Sequence, residues 1–143
     1  MKKILLTLIT LLAFSCPVFA SHWMSLGTGE DGTEYSIDIS RVSTHTLTPL
    51  EEGQNRAVER MGYQGINVPY KSIWLQVEYT DGTSAIQHIN VYQNRTIALL
   101  GFVNYDSDGR ITDSAPDRYP VPDTIYPDTV GEKLYMFAYP MNS

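Results

Sequence analysis

The chain has 143 residues, 43% of them hydrophobic, and its 16 Asp and Glu outnumber its 10 Lys and Arg. A length in this range suits one domain, because such a chain can bury roughly two-thirds of its unfolded surface in a single core. The acidic excess repels phosphate backbones and anionic headgroups, which argues against nucleic acid as a partner.

The first element in the chain is a predicted secretory signal peptide. Two lysines follow the initiator methionine, an apolar run extends from Ile4 to Phe14, and Val18 and Ala20 are small residues placed for cleavage. The run is too short for the roughly 20 apolar residues that span a bilayer. We therefore expect residues 1–20 to be removed and residues 21–143 to form one exported domain without a membrane anchor.

Cys16 is the only cysteine and raises the alternative of a lipidated amino terminus. The preceding Ala13-Phe14-Ser15 lacks the usual Leu at position −3 and has a bulky Phe at −2, so lipidation is disfavoured. Cleavage after Ala20 leaves a mature chain without cysteine, and hence without the disulfides that often stabilise small exported domains. Loss of Lys2 and Lys3 brings the formal net charge to −8.

Alternating apolar and polar residues between Gly, Asp and Asn turns predict a series of β-strands. The predicted strands, in chain order, are Trp23 to Gly27, Glu34 to Ile39, Lys71 to Tyr79, Ser84 to Tyr92, Thr96 to Tyr105 and a short strand from Arg110. An Asp81-Gly82 turn joins the third to the fourth as a hairpin. The apolar phase slips between Ile86 and Ile89, which predicts a bulge near Gln87 and His88.

The strand from Thr96 to Tyr105 is apolar on both faces. Simple alternation places Ile97, Leu99, Val103 and Tyr105 on one face and Ala98, Leu100 and Phe102 on the other. This pattern predicts a central strand that is covered on both sides.

Residues from Ser43 to Tyr70 contain scattered Pro and Gly and are predicted to be irregular, with room for a short helix from Gln54 to Arg60. Long connections often carry function. The surface candidates for binding in this segment are Arg56, Arg60, Tyr63 and Tyr70. The other aromatic set, Tyr35, Tyr79, Tyr105 and Tyr135, is expected to line the core with the hydroxyls at its edge.

The chain closes with a predicted helix after a Pro-rich segment from Ala115 to Pro127. Thr129 and Glu132 have the spacing of a capping box. The following apolar stripe consists of Val130, Leu134, Phe137 and Ala138. A helix this short must dock on the sheet, so the predicted fold class is α+β and mainly β.

No pattern in the mature chain predicts catalysis, a metal site or a cofactor. Residues Asn104 to Ile111 match the start of a calcium loop, but position 12, which needs a bidentate Glu, is Ala115. A hairpin turn with positive φ at Gly109 explains the motif better. The histidines, His22, His45 and His88, have no ligand spacing. There is no Gly-x-Ser-x-Gly elbow and no phosphate loop.

Several short motifs, taken in order, resemble those of the bacterial surface-adhesin E family. They are Trp23 with Leu26-Gly27, Tyr35-Ser36-Ile37-Asp38, Lys71-Ser72, Asn94-Arg95-Thr96, Tyr105-Asp106 with Gly109, and Pro127-Asp128-Thr129-Val130-Gly131-Glu132. The resemblance spans nearly the whole mature chain. It implies a curved antiparallel sheet of about six strands with the C-terminal helix packed on one face. The family's usual cysteines, near Tyr92-Gln93 and after the helix, are missing here.

The resemblance implies an exported, non-enzymatic binding protein of the periplasm, the outer-membrane surface or the medium, with a host extracellular-matrix or plasma protein as partner. The alternative hypothesis is a periplasmic accessory, inhibitor or immunity-like protein, whose negative charge steers it onto a basic envelope partner. Exposed sheet edges could pair two copies into a homodimer. No binding residue of the family carries over to a position of this chain.

Overall fold

The computed structural model describes residues 21–47, 68–116 and 122–140. Within these ranges the chain forms eight strands, one turn of 3-10 helix and one α-helix. The elements are β1 (Trp23–Thr28), β2 (Glu34–Asp38), the 3-10 turn (Ile39–Arg41), β3 (Ser43–Leu47), β4 (Val68–Glu78), β5 (Ser84–Tyr92), β6 (Thr96–Tyr105), β7 (Ile111–Ala115), β8 (Asp123–Thr124) and α1 (Val130–Ala138). The predicted mainly β fold with a C-terminal helix is confirmed.

The strands make one antiparallel sheet in the order β1-β2-β4-β5-β6-β7. The long strand β4 has two partners along its outer edge, because β3 pairs with its first half and β2 with its second. The long strand β6 is shared in the same way by β8 and β7. The six-stranded path therefore agrees with the prediction, and β3 and β8 are short additions to it.

Two hairpin turns share one motif, in which an Asp side chain accepts hydrogen bonds from the Thr two residues later. Asp81 accepts hydrogen bonds from the hydroxyl and amide of Thr83, and these bonds lower the pKa of the carboxyl. In the β1–β2 turn Asp31 binds Thr33 in the same way, again with a lowered pKa. Gly82 has φ +84°, a left-handed conformation that glycine adopts without strain.

The segment that resembled a calcium loop is a hairpin turn. Asp106 accepts hydrogen bonds from the amides of Asp108 and Arg110, at 3.0 and 2.8 Å. Gly109 has φ +77°, as predicted for the turn.

The larger buried cluster lies between α1 and one face of the sheet, and a smaller one of Val68, Tyr92 and Ala98 lies on the opposite face. Leu134 is completely buried and Ala138 nearly so, and both belong to one cluster with β4 and β5 side chains such as Ile73, Leu75 and Ile89. The capping box is present in modified form: Thr129 accepts from the amide of Glu132, but Glu132 accepts from the amide of Asp128, one residue before the cap. The hydrogen bonds from Asp128 and Arg95 lower the pKa of the Glu132 carboxyl.

Polar contacts from two partly buried tyrosines, one in α1 and one just after it, add to this packing. The Tyr135 hydroxyl donates to the carbonyl of Gln93 at 3.0 Å, and the Tyr139 hydroxyl lies 3.3 Å from the carbonyl of Val91. Burial raises the pKa of Tyr139 to about 12, so its hydroxyl keeps the proton that it donates. These hydroxyls therefore hold α1 on the sheet together with its apolar side chains.

The prediction for the connection before β4 is wrong in part. Residues Ser43 to Tyr70 are not wholly irregular, because β3 forms at their start and β4 begins at Val68. The bulge predicted near Gln87 and His88 is confirmed, because the register shifts between His88 and Ile89. The extra residue is Leu100 of β6, since His88 pairs with Gly101 and Ile89 with Leu99.

This bulge reverses the faces of the second half of β6. Val103 therefore lies on the face opposite Leu99, not beside it. Leu99 is also exposed, so β6 is not covered on both sides. Among the tyrosines, Tyr35 and Tyr135 pack against the core as expected, whereas Tyr79 is exposed.

One carboxylate is buried at the end of β2. Asp38 has no exposed surface, and it accepts a hydrogen bond from the Ser40 amide at 3.0 Å while Arg41 lies 3.3 Å away. Burial alone would raise the pKa of Asp38. The hydrogen bonds from Ser40 and Ser21, with the charge of Arg41, outweigh burial and lower it.

Removing the side chain that anchors the helix should test how α1 is held. We expect Leu134→Ala to lower the free energy of unfolding by about 3 to 5 kcal/mol, because it leaves a cavity in a core without disulfides. Urea unfolding followed by circular dichroism measures the loss. The matched control is Met136→Ala on the exposed side of α1, which should stay within about 0.5 kcal/mol of the native chain.

The buried Asp38 should make stability depend on acid pH. Its folded pKa lies below the ordinary value of 3.8, so its contribution is fully present above that value and is lost as pH falls through the folded pKa. In urea unfolding between pH 6 and pH 2.5, Asp38→Asn should lower stability at pH 6 and flatten the acid slope. An unchanged slope in this variant would contradict the assignment.

Candidate functional site

The face of the sheet opposite α1 carries a row of aromatic and polar side chains. Register places Tyr70, Ser72 and Trp74 of β4 on this face, because residues directly opposite each other across antiparallel strands point to the same side. Their partners on β5 are Tyr92, Asn90 and His88. Val68, Tyr92 and Ala98 on this face form a second buried cluster, with Tyr70 packed against it. Trp74 and His88 are half-buried and His45 is exposed. These accessible rings make this face the candidate binding surface.

At one end of the row, Trp74 and His88 stack in parallel. The ring centroids are 4.4 Å apart and the planes differ by 1°. The His88 Nε2 atom also lies 2.5 Å from the Ser72 hydroxyl oxygen, so the imidazole is fixed from two directions. Both rings are only half-buried. They therefore present a rigid aromatic edge at the surface.

At the other end, Tyr70 lies between two rings. His45 of β3 stacks on it at 5.2 Å, and Tyr92 of β5 lies 5.4 Å away on the other side. The Ser43 hydroxyl lies 2.8 Å from the His45 Nε2 atom. We call the five rings His45, Tyr70, Tyr92, Trp74 and His88 the aromatic strip.

Asn90 lies between the two ends of the aromatic strip. Its side chain is buried, and its Oδ1 atom has no hydrogen-bond partner within the described part of the chain. A buried acceptor without a donor costs about 1 to 3 kcal/mol. Burial raises the pKa of the neighbouring Tyr92, which keeps its phenol neutral.

A serine beside a histidine nitrogen is also the arrangement of a nucleophile and its base. Here Ser72 is only 8% exposed, and the Trp74 ring covers one face of the imidazole. At this exposure the Ser72 side chain offers little surface to an incoming substrate. The contact therefore fixes His88 within the strip better than it serves acyl transfer.

Of the four site residues predicted from the sequence, one lies within the described residues. Tyr70 is in the aromatic strip, at the centre of its three-ring end. The predictions for Arg56, Arg60 and Tyr63, and for a helix from Gln54 to Arg60, lie outside the described residues.

Sequence reasoning missed His45 and His88, which looked scattered along the chain. Strand register brings both onto one face. The signal was present in β4 and β5, where alternation alone puts Trp74 and His88 on the polar side.

Across residues 21–47, 68–116 and 122–140, no group of three or more His, Cys, Asp or Glu side chains is placed to hold a metal ion. No helix in these ranges has the length and apolar character needed to cross a bilayer.

Comparisons with known proteins found no match to this chain among family models, curated proteins or solved structures.

Proposed function

We propose that this chain is an exported, non-enzymatic binding protein, similar to surface-adhesin E, that holds a protein partner on the aromatic strip. The observation that carries the proposal is the pair of stacked ring clusters on the sheet face opposite α1, where Trp74, His88 and His45 keep accessible surface. Export is supported by the leader-like residues 1–20, and the partner class by the family resemblance.

The chemistry of the strip suits a protein surface. Tyr and Trp dominate binding hot spots, because they bury a large area at little cost in side-chain entropy and keep a polar atom for hydrogen bonding. Stacking fixes Trp74 and Tyr70 before a partner arrives, so little ordering entropy remains to be lost. A host matrix or plasma protein is the partner class that the resemblance implies.

A second candidate function is the periplasmic accessory or inhibitor that caps a basic envelope protein. It is favoured by the mature net charge of −8 and by an acidic recess near the start of α1, lined by Glu30, Asp31 and Asp128. Charge of this kind accelerates association with a basic partner and weakens with salt. A pull-down from envelope extract that yields one basic bacterial protein, released at high salt, would favour this function over adhesion.

The processing of the precursor should separate export from its alternatives. Intact mass and N-terminal sequencing of the protein from fractionated cells should give a mature start at Ser21, in the periplasm, on the surface or in the medium. A start at Cys16 with acyl groups, or an uncleaved chain in the cytoplasm, would refute the proposed maturation.

Substitutions in the aromatic strip should weaken partner binding without unfolding the domain. Against a panel of immobilised host matrix and plasma proteins, we expect Trp74→Ala and Tyr70→Ala each to reduce affinity about tenfold or more. The matched control is Tyr79→Ala, an exposed tyrosine on the other face beyond the end of β4. Equal affinity of all three variants for the bound protein, measured by surface plasmon resonance, would rule out the strip as the site.

A further inference from the structure

A cavity of about 280 Å³ lies between the start of α1 and the sheet, on the side opposite the aromatic strip. Its walls are mostly apolar and come from β4, β5, β6, the segment before α1 and α1 itself. They include Leu75, Ile89, Ile97, Leu99, Ile125 and Leu134. The volume is about twice that of an apolar protein cavity of roughly 150 Å³ that accommodates benzene. One bulky side chain therefore fits.

Large apolar side chains that line this cavity are exposed to solvent. Leu99 is 45% exposed and Tyr126 is 66% exposed. Both line the cavity. Exposed apolar groups around an apolar recess mark interaction sites more often than isolated ones do.

A second recess of about 350 Å³ adjoins the first and has a different character. Thr129 and Val130 line both. The second is bordered by the carboxylates of Glu30, Asp31 and Asp128 and by one cation, Lys133. Its local charge is therefore −2, within a mature chain that is itself strongly acidic.

We propose that the two recesses form a second binding site, which accepts a protein segment presenting a bulky apolar side chain beside a Lys or Arg. The apolar side chain enters the cavity past Leu99 and Tyr126. The neighbouring cation lies against the carboxylates of the acidic recess. Charge complementarity selects a basic segment over an acidic one. This site is independent of the aromatic strip.

Short synthetic peptides test the specificity of the site. The probe is a nine-residue peptide with Phe-Arg at its centre and Gly-Ser flanks, titrated into ¹⁵N-labelled residues 21–143 and followed by NMR. We expect shifts to concentrate at Leu99, Tyr126, Thr129 and Val130. Replacing the peptide's Phe by Ala, or its Arg by Glu, should weaken binding about tenfold each. Absence of binding, shifts centred on the aromatic strip, or equal affinity of the three peptides would overturn the proposal.

Paired variants test the location. Leu99→Asp at the mouth should weaken the Phe-Arg peptide about tenfold, while Ile111→Asp, an even more exposed position outside the cavity, should leave affinity unchanged. Glu30→Gln with Asp128→Asn should weaken binding and remove most of its salt dependence. Circular dichroism checks the fold of each variant. Equal loss in Leu99→Asp and Ile111→Asp, or sedimentation showing two copies joined at this cavity, would refute it.

A different observation concerns the amino terminus of the mature chain. The Oδ2 atom of the fully buried Asp38 pairs with the partly exposed Arg41 at 3.3 Å but accepts no hydrogen bond of ordinary geometry, and the Ser21 side chain is close enough to help lower the pKa of this carboxyl. The carbonyl of His22 accepts from the amide of Ile39, next to Asp38, so Ser21 lies alongside this carboxylate. Ser21 is also the residue that cleavage after Ala20 would leave at the start of the chain.

We infer that the α-ammonium group freed at Ser21 pairs with the buried Asp38 carboxylate and completes its partners. This inference rests on the proposed cleavage after Ala20. Before cleavage the same nitrogen is an uncharged amide, so the pair forms only in the processed protein. Signal removal would thereby stabilise the β1–β2 end of the sheet.

A comparison of two forms of residues 21–143 tests the pair, one with a free and one with an acetylated amino terminus. In the native sequence, acetylation should lower the melting temperature by about 5 °C, as expected for loss of one partly buried ion pair. In Asp38→Asn the two forms should melt together. Equal melting of both native forms, or the same loss in Asp38→Asn, would overturn the inference. N-terminal sequencing of the natural product tests the cleavage separately.

Discussion

The packing of α1 against one face of the sheet is the interaction on which the rest of the structure depends. Leu134 and Ala138 lie in the same buried cluster as the side chains of β4 and β5, and the chain from Ser21 onward has no cysteine to hold the helix covalently. The Tyr135 and Tyr139 hydroxyls reach carbonyls near the β5–β6 turn instead. Noncovalent contacts therefore hold α1 on the sheet and determine which face the helix covers.

That asymmetry gives the two faces different chemistry. The face under α1 is apolar, and the cavity on this face lies at the start of the helix. The other keeps half-buried rings, which hydrogen bonds and stacking hold in place. Both proposed binding sites therefore follow from the packing of α1 on one face. The helix has nine residues, so it covers only part of that face and none of the opposite one.

The elements that sequence predicted correctly are those fixed by local chemistry. The Asp-Gly turns, the strands β4 to β6 and the capped helix each follow from residues a few positions apart. The strand β3 did not, because Ser43–Leu47 is mostly polar and its pairing with the start of β4 spans a long connection. The extra residue at Leu100 was equally hidden, since apolar side chains on both faces of β6 do not fix the register.

The site was harder to predict than the fold for the same reason. Tyr70 was identified as a surface candidate, but its stacking partners come from two other strands and become visible only through register. His45 and His88 are 43 positions apart in the chain. Their shared face depends on β4 lying between them, which no spacing rule reveals.

The strands at the two ends of the sheet path, β1 and β7, affect how this molecule associates with copies of itself. A long, flat, unpaired strand is a template on which other chains polymerise. Here the outermost strands β1 and β7 have six and five residues, and a register irregularity interrupts each of their ladders. An incoming strand would find only a few aligned amides before the geometry changed. These two edge strands therefore give another chain little template for fibril growth.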